Sequence, residues 1–158
     1  MKKIFLNLFL MVSVVAFTAC GSDDDATTPP VGVTGGTLVV DIDGVTTTFN
    51  TLTINSYVSS GEPAIELTAS IDGGANKLVE IAAYNVGANA IYDLKYTENG
   101  VVKYHYHIAT GIPGITHASN VTEHTASKFV ASFTGSIFDT MTGTTTFSLE
   151  NGSISATF

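Results

Sequence analysis

Beyond Thr37 the chain alternates apolar and polar residues with a period of two, the pattern of strands that bury one face. Leu38, Val40 and Ile42 share one side, with Val39 and Asp41 on the other. Asp43-Gly44 predicts a hairpin turn, because glycine tolerates the positive φ a tight turn needs, and Val45, Thr47 and Phe49 continue on the return strand. Leu52 and Ile54 follow, then Ile65, Leu67, Ala69 and Ile71 alternating against Glu66, Thr68 and Ser70. Asp72-Gly73-Gly74 turns the chain into Val79, Ile81 and Ala83, and Tyr92, Leu94 and Tyr96 come next. Asn99-Gly100, the strongest short hairpin signal in the sequence, leads into Val102, Tyr104, Tyr106 and Ile108. A looser region from Thr110 to Asn120 holds Pro113 and two glycines. Phe129, Ala131, Phe133 and Ile137, then Phe147 and Leu149, then Ile154, Ala156 and Phe158 complete the pattern, with Asn151-Gly152 expected to turn between the last two strands.

About nine or ten short strands at turn spacings of roughly 8–14 residues predict an all-β domain over residues 37–158, an antiparallel β-sandwich or flattened barrel. No dozen-residue window of this region carries a helical stripe. Asn120-Val121-Thr122-Glu123 has an N-cap-like residue with Glu three later, but threonine and valine surround it and it reads as a turn or strand end. There is no internal repeat.

The first 19 residues have a different pattern. Lys2 and Lys3 precede an apolar core from Ile4 to Phe17, interrupted by Asn7 and Ser13. Its roughly 14 residues fit a signal-peptide core and fall short of the ~20 a spanning helix needs. Phe17-Thr18-Ala19-Cys20 resembles the lipobox of bacterial lipoproteins, with Phe17 where leucine is usual. The resemblance implies removal of residues 1–19, a diacylglyceryl thioether on the Cys20 sulfur and an acyl chain, such as palmitate, on its amine. Two or more chains hold a protein stably on a membrane, at ~0.8 kcal/mol per buried CH₂. Cys20 is the single cysteine, so no internal disulfide is available.

Residues 20–36 follow as a lipidated cysteine and tether rich in acid, Pro and Gly. From Gly21 to Gly36 that tether spans at most ~55 Å. Ser22-Asp23-Asp24-Asp25 resembles the acidic export signal of surface lipoproteins in the Bacteroidetes, which implies a receptor-read address. A solvated acidic spacer is the plainer alternative.

Charge narrows the function classes. The mature chain keeps only Lys77, Lys95, Lys103 and Lys128, has no arginine, and sets them against fourteen acidic residues. Nucleic-acid binders need a basic footprint, and grips on phosphate use arginine, so neither partner fits. A mature chain from Cys20 to Phe158 has the size of one domain.

Several residues could carry chemistry. His105 and His107 project from one strand face about 7 Å apart, a spacing that could share zinc or copper, with His117 or His124 as a third ligand. Alternatively, Tyr104, Tyr106 and Ile108 form the buried face and the histidines are ordinary solvent-facing residues. Asp41-Ile42-Asp43-Gly44 begins like a calcium loop but lacks its remaining ligands, and it reads as a hairpin, as does Asp72-Gly73-Gly74. Glu62, Glu66, Glu80, Asp93, Glu98 and Glu123 could pair for glycoside hydrolysis, though any acidic domain offers such pairs. No Gly-x-Ser-x-Gly elbow is present. Tyrosines suit wet interfaces, and of Tyr57, Tyr84, Tyr92, Tyr96, Tyr104 and Tyr106 the parity of Tyr84 points outward. Asp139-Thr140-Met141 resembles the short O-glycosylation acceptor motif of Bacteroidetes, with Thr140 as acceptor.

Asp41-Ile42-Asp43-Gly44, Phe133-Thr134-Gly135, Thr142-Gly143 and Glu150-Asn151-Gly152-Ser153-Ile154 together resemble small Bacteroidetes surface lipoproteins grouped as a domain of unknown function. These are turn and strand motifs, and the resemblance implies fold and location but no activity. The expectation is a lipid-anchored lipoprotein of the outer membrane, at the cell surface. It needs no cofactor and acts as a non-enzymatic binding or structural module toward a glycan or an envelope protein. The competing expectation is a small metal-dependent or carboxylate-based envelope enzyme.

Overall fold

The computed structural model describes residues 31–32 and 35–158. The signal segment, Cys20 and Ser22-Asp23-Asp24-Asp25 lie outside the described residues. The described chain is all-β, with no helix. Its strands are β1 (Val31–Gly32), β2 (Gly35–Ile42), β3 (Val45–Phe49), β4 (Thr51–Ser59), β5 (Glu62–Ser70) and β6 (Lys77–Tyr84). They continue as β7 (Gly87–Ala88), β8 (Ile91–Glu98), β9 (Val101–His107), β10 (Ile115–His124), β11 (Lys128–Phe138) and β12 (Thr145–Thr157). Two antiparallel sheets result, ordered β1-β4-β5-β6-β8-β9 and β3-β2-β12-β11-β10-β7. This is the expected sandwich, and the sheets do not close into a barrel. Its body starts earlier than Thr37, since β2 opens at Gly35 and Val31–Gly32 pair with Ile54 and Thr53 of β4.

Alternation fills the interior. Leu38, Phe49, Ile54, Leu67, Leu94 and Ile154 are fully buried from both sheets. Asp43 and Gly44 take φ of 47° and 79°, Asn99 and Gly100 of 50° and 76°, the paired positive values of a two-residue hairpin turn. The Asp43 carboxylate also accepts the Ser148 N–H at 2.8 Å, and Asp41 accepts from Asn151 Nδ2 at 2.8 Å. Both carboxylates therefore tie the first hairpin to β12. Asp72 bonds Asn50, the one residue between β3 and β4, where the chain changes sheets. The Asn120–Glu123 stretch is strand, at the end of β10.

Four readings of the pattern are corrected. Asn151-Gly152 is no turn. It lies within the continuous strand β12, where the register with both β11 and β2 shifts by a bulge. The looser region ends at Gly114, because Ile115 to Asn120 pair with β11 in full register. Tyr92 does not share the buried face of Leu94 and Tyr96. The register with β6 shifts between Ala82 and Ala83, so Ile91 takes the buried position opposite Ala83 and Tyr92 is the extra residue of a bulge. A second shift between Tyr96 and Thr97 leaves Val102 about half exposed, and Ile108 lies exposed beyond the end of β9.

The two sheets lock together at β9 and β10. Tyr104 on β9 crosses the interior, and its hydroxyl donates to the Thr116 carbonyl at 2.7 Å. One strand over, the Ile91 N–H donates to Ser119 Oγ at 3.3 Å and the Asn89 N–H to Ser119 O at 2.7 Å. Thr116 and Ser119 of β10 thus meet β9 and the start of β8, two neighbouring strands of the first sheet. Glycine makes the approach to Tyr104 possible, since a Cβ on Gly135 would sit 2.6 Å from the Tyr104 Cζ. We predict that Gly135→Ala destabilises the fold by about 1–3 kcal/mol, the usual cost of overpacking. Tyr104→Phe, which loses one hydrogen bond, costs about 0.5–1.5 kcal/mol. Urea unfolding of the two variants checks this, and the reverse order would mean that the ring, rather than its hydroxyl, tolerates displacement.

Candidate functional site

The outward face of the first sheet gathers most of the chemistry-bearing residues. Strand register places Asn55, Glu66, Ala82, Asp93 and His107 side by side across β4, β5, β6, β8 and β9. The adjacent row is Thr53, Thr68, Glu80, Lys95 and His105. Between these rows lies a shallow hollow of about 330 Å³, lined by Glu66, Thr68, Glu80, Ala82, Asp93, Lys95 and His105 among others. Ala82 is the small residue of its row, and longer side chains stand on either side of it.

Asp93 is the centre of charge. His105 Nε2 lies 3.3 Å from one of its oxygens and His107 Nε2 4.0 Å from the other. The Ala109 N–H donates to His107 Nδ1 at 3.1 Å, so a neutral His107 carries its proton on Nε2, toward Asp93. Lys95 pairs with Glu80 at 2.6 Å, and Lys77 with Glu98 at 3.3 Å. Both pairs are about one third exposed on each side, where an ion pair stabilises by at most ~1 kcal/mol.

Beside the hollow stands a tyrosine cluster. Tyr57 and Tyr84 flank Ala64 in register, and Ala64 is fully buried despite its outward position. Tyr84 stacks on Tyr92 with ring centroids 4.1 Å apart and planes 14° from parallel. His107 meets Tyr92 edge-on at 6.2 Å. Burial raises the Tyr92 pKa, and the hydroxyls of Tyr57 and Tyr84 close by raise it further, so the Tyr92 phenol is protonated at neutral pH. Tyr57 also reaches Glu66 at 3.4 Å. The β8 bulge builds this group, because it sets both Tyr92 and Asp93 on the outward face.

His105 and His107 thus share the solvent face, as the alternation implies, and Asp93 lies between them. Their proposed third ligands are elsewhere. His117 stacks on Tyr106 with centroids 4.3 Å apart, and His124 is buried edge-on against Phe129 at 5.4 Å. Among the described residues no group of three His, Cys, Asp or Glu is arranged to hold a metal ion. Tyr96 and Tyr104 are core, with relative exposures of 0 and 1 %. Of the acidic candidates, Glu66, Glu80 and Asp93 line the hollow. Glu98 is held by Lys77 and Glu123 by Lys128 at 2.7 Å, and Glu62 is exposed at the start of β5. Thr140 is exposed in the turn between β11 and β12, where Asp139 accepts the Met141 N–H at 2.8 Å. The site residues missed by pattern alone are Tyr92 with its outward aim, Ala82 and Lys95. Only strand register reveals them.

No family model matches the chain, nor does any curated protein or solved structure.

The two interior histidines generate a prediction. Neither ring nitrogen of His117 or His124 has a hydrogen-bond partner among the described residues, and burial lowers both pKa values. The unfolded chain, with histidine near 6.5, then binds protons that the folded chain refuses. Their contribution is fully present above that value and is lost as pH falls through 6.5 toward the lower folded pKa. The urea midpoint should therefore drop between pH 7.5 and 5 in the wild type and drop less in His117→Phe/His124→Phe. Equal slopes would show that other groups carry the acid sensitivity.

Proposed function

We propose that this chain is a lipid-anchored lipoprotein of the bacterial outer membrane, displayed at the cell surface. It works as a non-enzymatic binding module and contacts its ligand, a glycan or an envelope protein, through the outward face of the sheet β1-β4-β5-β6-β8-β9. The observation that carries the reading is the convergence on that face of Tyr57, Tyr84, Tyr92, Asp93 and His107 beside a hollow of about 330 Å³. Pockets with a few convergent polar groups and aromatic walls are the usual form of a ligand site. Anchoring rests on the lipobox-like Phe17-Thr18-Ala19-Cys20, and surface display on Ser22-Asp23-Asp24-Asp25. Ten residues separate Cys20 from Val31, the first described residue, and these eleven steps allow a reach of at most ~40 Å from the anchor. The exposed turn at Thr140 supports its use as an O-glycan acceptor.

Two measurements check the two halves of this reading. A photo-crosslinking residue at Ala82 should capture a ligand on intact cells, seen as a species of raised mass, whereas one at Ala118 on the other sheet should not. Capture from 118 alone would place the binding surface on the wrong sheet. For location, protease shaving of intact cells should cleave the wild-type domain and spare a variant with Asp23, Asp24 and Asp25 changed to alanine. Protection of both until the outer membrane is broken would make the acidic run a plain tether and turn the domain toward the periplasm.

A further inference from the structure

We infer that the hollow over Ala82, with the stacked Tyr84 and Tyr92 beside it, takes one ring of a neutral, hydroxyl-rich glycan, with Glu66 and Asp93 accepting hydrogen bonds from its hydroxyls. The inference rests on the reading of this sheet face as the binding surface and names the ligand that the face suits.

Spacing comes first. Glu66 on β5 and Asp93 on β8 both neighbour Ala82 in register, one from each side. Two strand spacings of ~4.8 Å put their backbones ~10 Å apart, and only a methyl group rises between them. The hollow's volume of about 330 Å³ lies at the small end of ligand pockets, which begin near ~300 Å³. That suits a single ring of a longer chain running over the sheet.

Charge then selects the class. Glu66, Glu80 and Asp93 line the hollow, and ionised carboxylates only accept hydrogen bonds. A ligand must therefore supply donors. Lys95 is the one lysine of the lining, and Glu80 already holds it at 2.6 Å. His105, the other basic residue of the lining, already faces Asp93 at 3.3 Å, and the chain has no arginine, so an acidic sugar or a phosphate would meet carboxylates whose basic partners are taken. Protein interfaces are depleted of charge at their centres, so three carboxylates around the floor also fit a protein surface poorly. Hydroxyl groups both donate and accept, as do the phenols of Tyr57, Tyr84 and Tyr92. Tyr84 stays 39 % exposed after stacking on Tyr92, leaving apolar ring surface for the C–H edges of a sugar. His107 faces that carboxylate's second oxygen from the far side, its Nε2 4.0 Å away.

Calorimetry on the full-length lipoprotein in detergent tests this. The probes are hexasaccharides of glucose, mannose, galactose and N-acetylglucosamine, with hexagalacturonate as the anionic counterpart. At least one neutral hexasaccharide should bind in the micromolar to millimolar range, and hexagalacturonate should not. Ala82→Leu, which fills the hollow, should weaken binding at least about tenfold, and Glu66→Gln, at an exposed position, about fivefold. Ala118→Leu on the other sheet should leave it unchanged. Binding of hexagalacturonate alone, or of none of the neutral sugars, would overturn the inference. If crosslinks from position 82 persisted in that case, the ligand class would be wrong and the binding face right. If they were also absent, the face itself would be excluded.

Discussion

The candidate site depends on one backbone irregularity, the bulge at Tyr92. A regular strand would alternate Tyr92, Leu94 and Tyr96 on one side and give the outward face only every second residue. The extra residue lets Ile91 fill the core opposite Ala83 while Tyr92 and Asp93 both face out. Bulges re-aim side chains at functional positions in this way. Without it, Tyr84 would lose its stacking partner and His107 its edge contact, and Asp93 would stand without an aromatic neighbour.

The scaffold that holds this bulge is rigid for a separate reason. Tyr104 spans the sandwich to the Thr116 carbonyl and lies against Gly135, and Ser119 takes two N–H groups from the segment Asn89–Ile91 that enters β8. The start of β8 is thus fixed from both sheets just before the bulge. The interior is almost wholly aliphatic and aromatic, and burial lowers the pKa of the two histidines that turn into it, His117 and His124. Outward polarity and inward apolarity come from the same alternation, so the face costs the core nothing.

Much of this was legible in the sequence. Leu38, Val40 and Ile42, or Ile65, Leu67 and Ala69, announce their buried face through period two, and Asp43-Gly44 and Asn99-Gly100 announce their turns through the φ that glycine allows. The parity of Tyr84 and of His105 and His107 also pointed correctly outward. Pattern failed wherever register slips. A bulge leaves composition unchanged and inverts parity, which is why alternation alone turns Tyr92 inward and reads Asn151-Gly152 as a turn. The row Glu66-Ala82-Asp93 was invisible for a different reason. Its members lie on three strands, and only pairing brings them together. His117 and His124 share a sequence neighbourhood with the other histidines, yet both turn into the interior, His117 in step with Ser119 and Val121 and His124 through the bulge between Val121 and Glu123.

The central claim is that the bulge-built face around Ala82 is where this protein meets its ligand. The most direct measurement is a titration of neutral hexasaccharide into protein carrying ¹³C-labelled alanine and tyrosine, followed by NMR. The account predicts that the Ala82 methyl and the Tyr84 and Tyr92 ring signals move together while the Ala118 methyl stays still. Movement at Ala118 with Ala82 unchanged would contradict it.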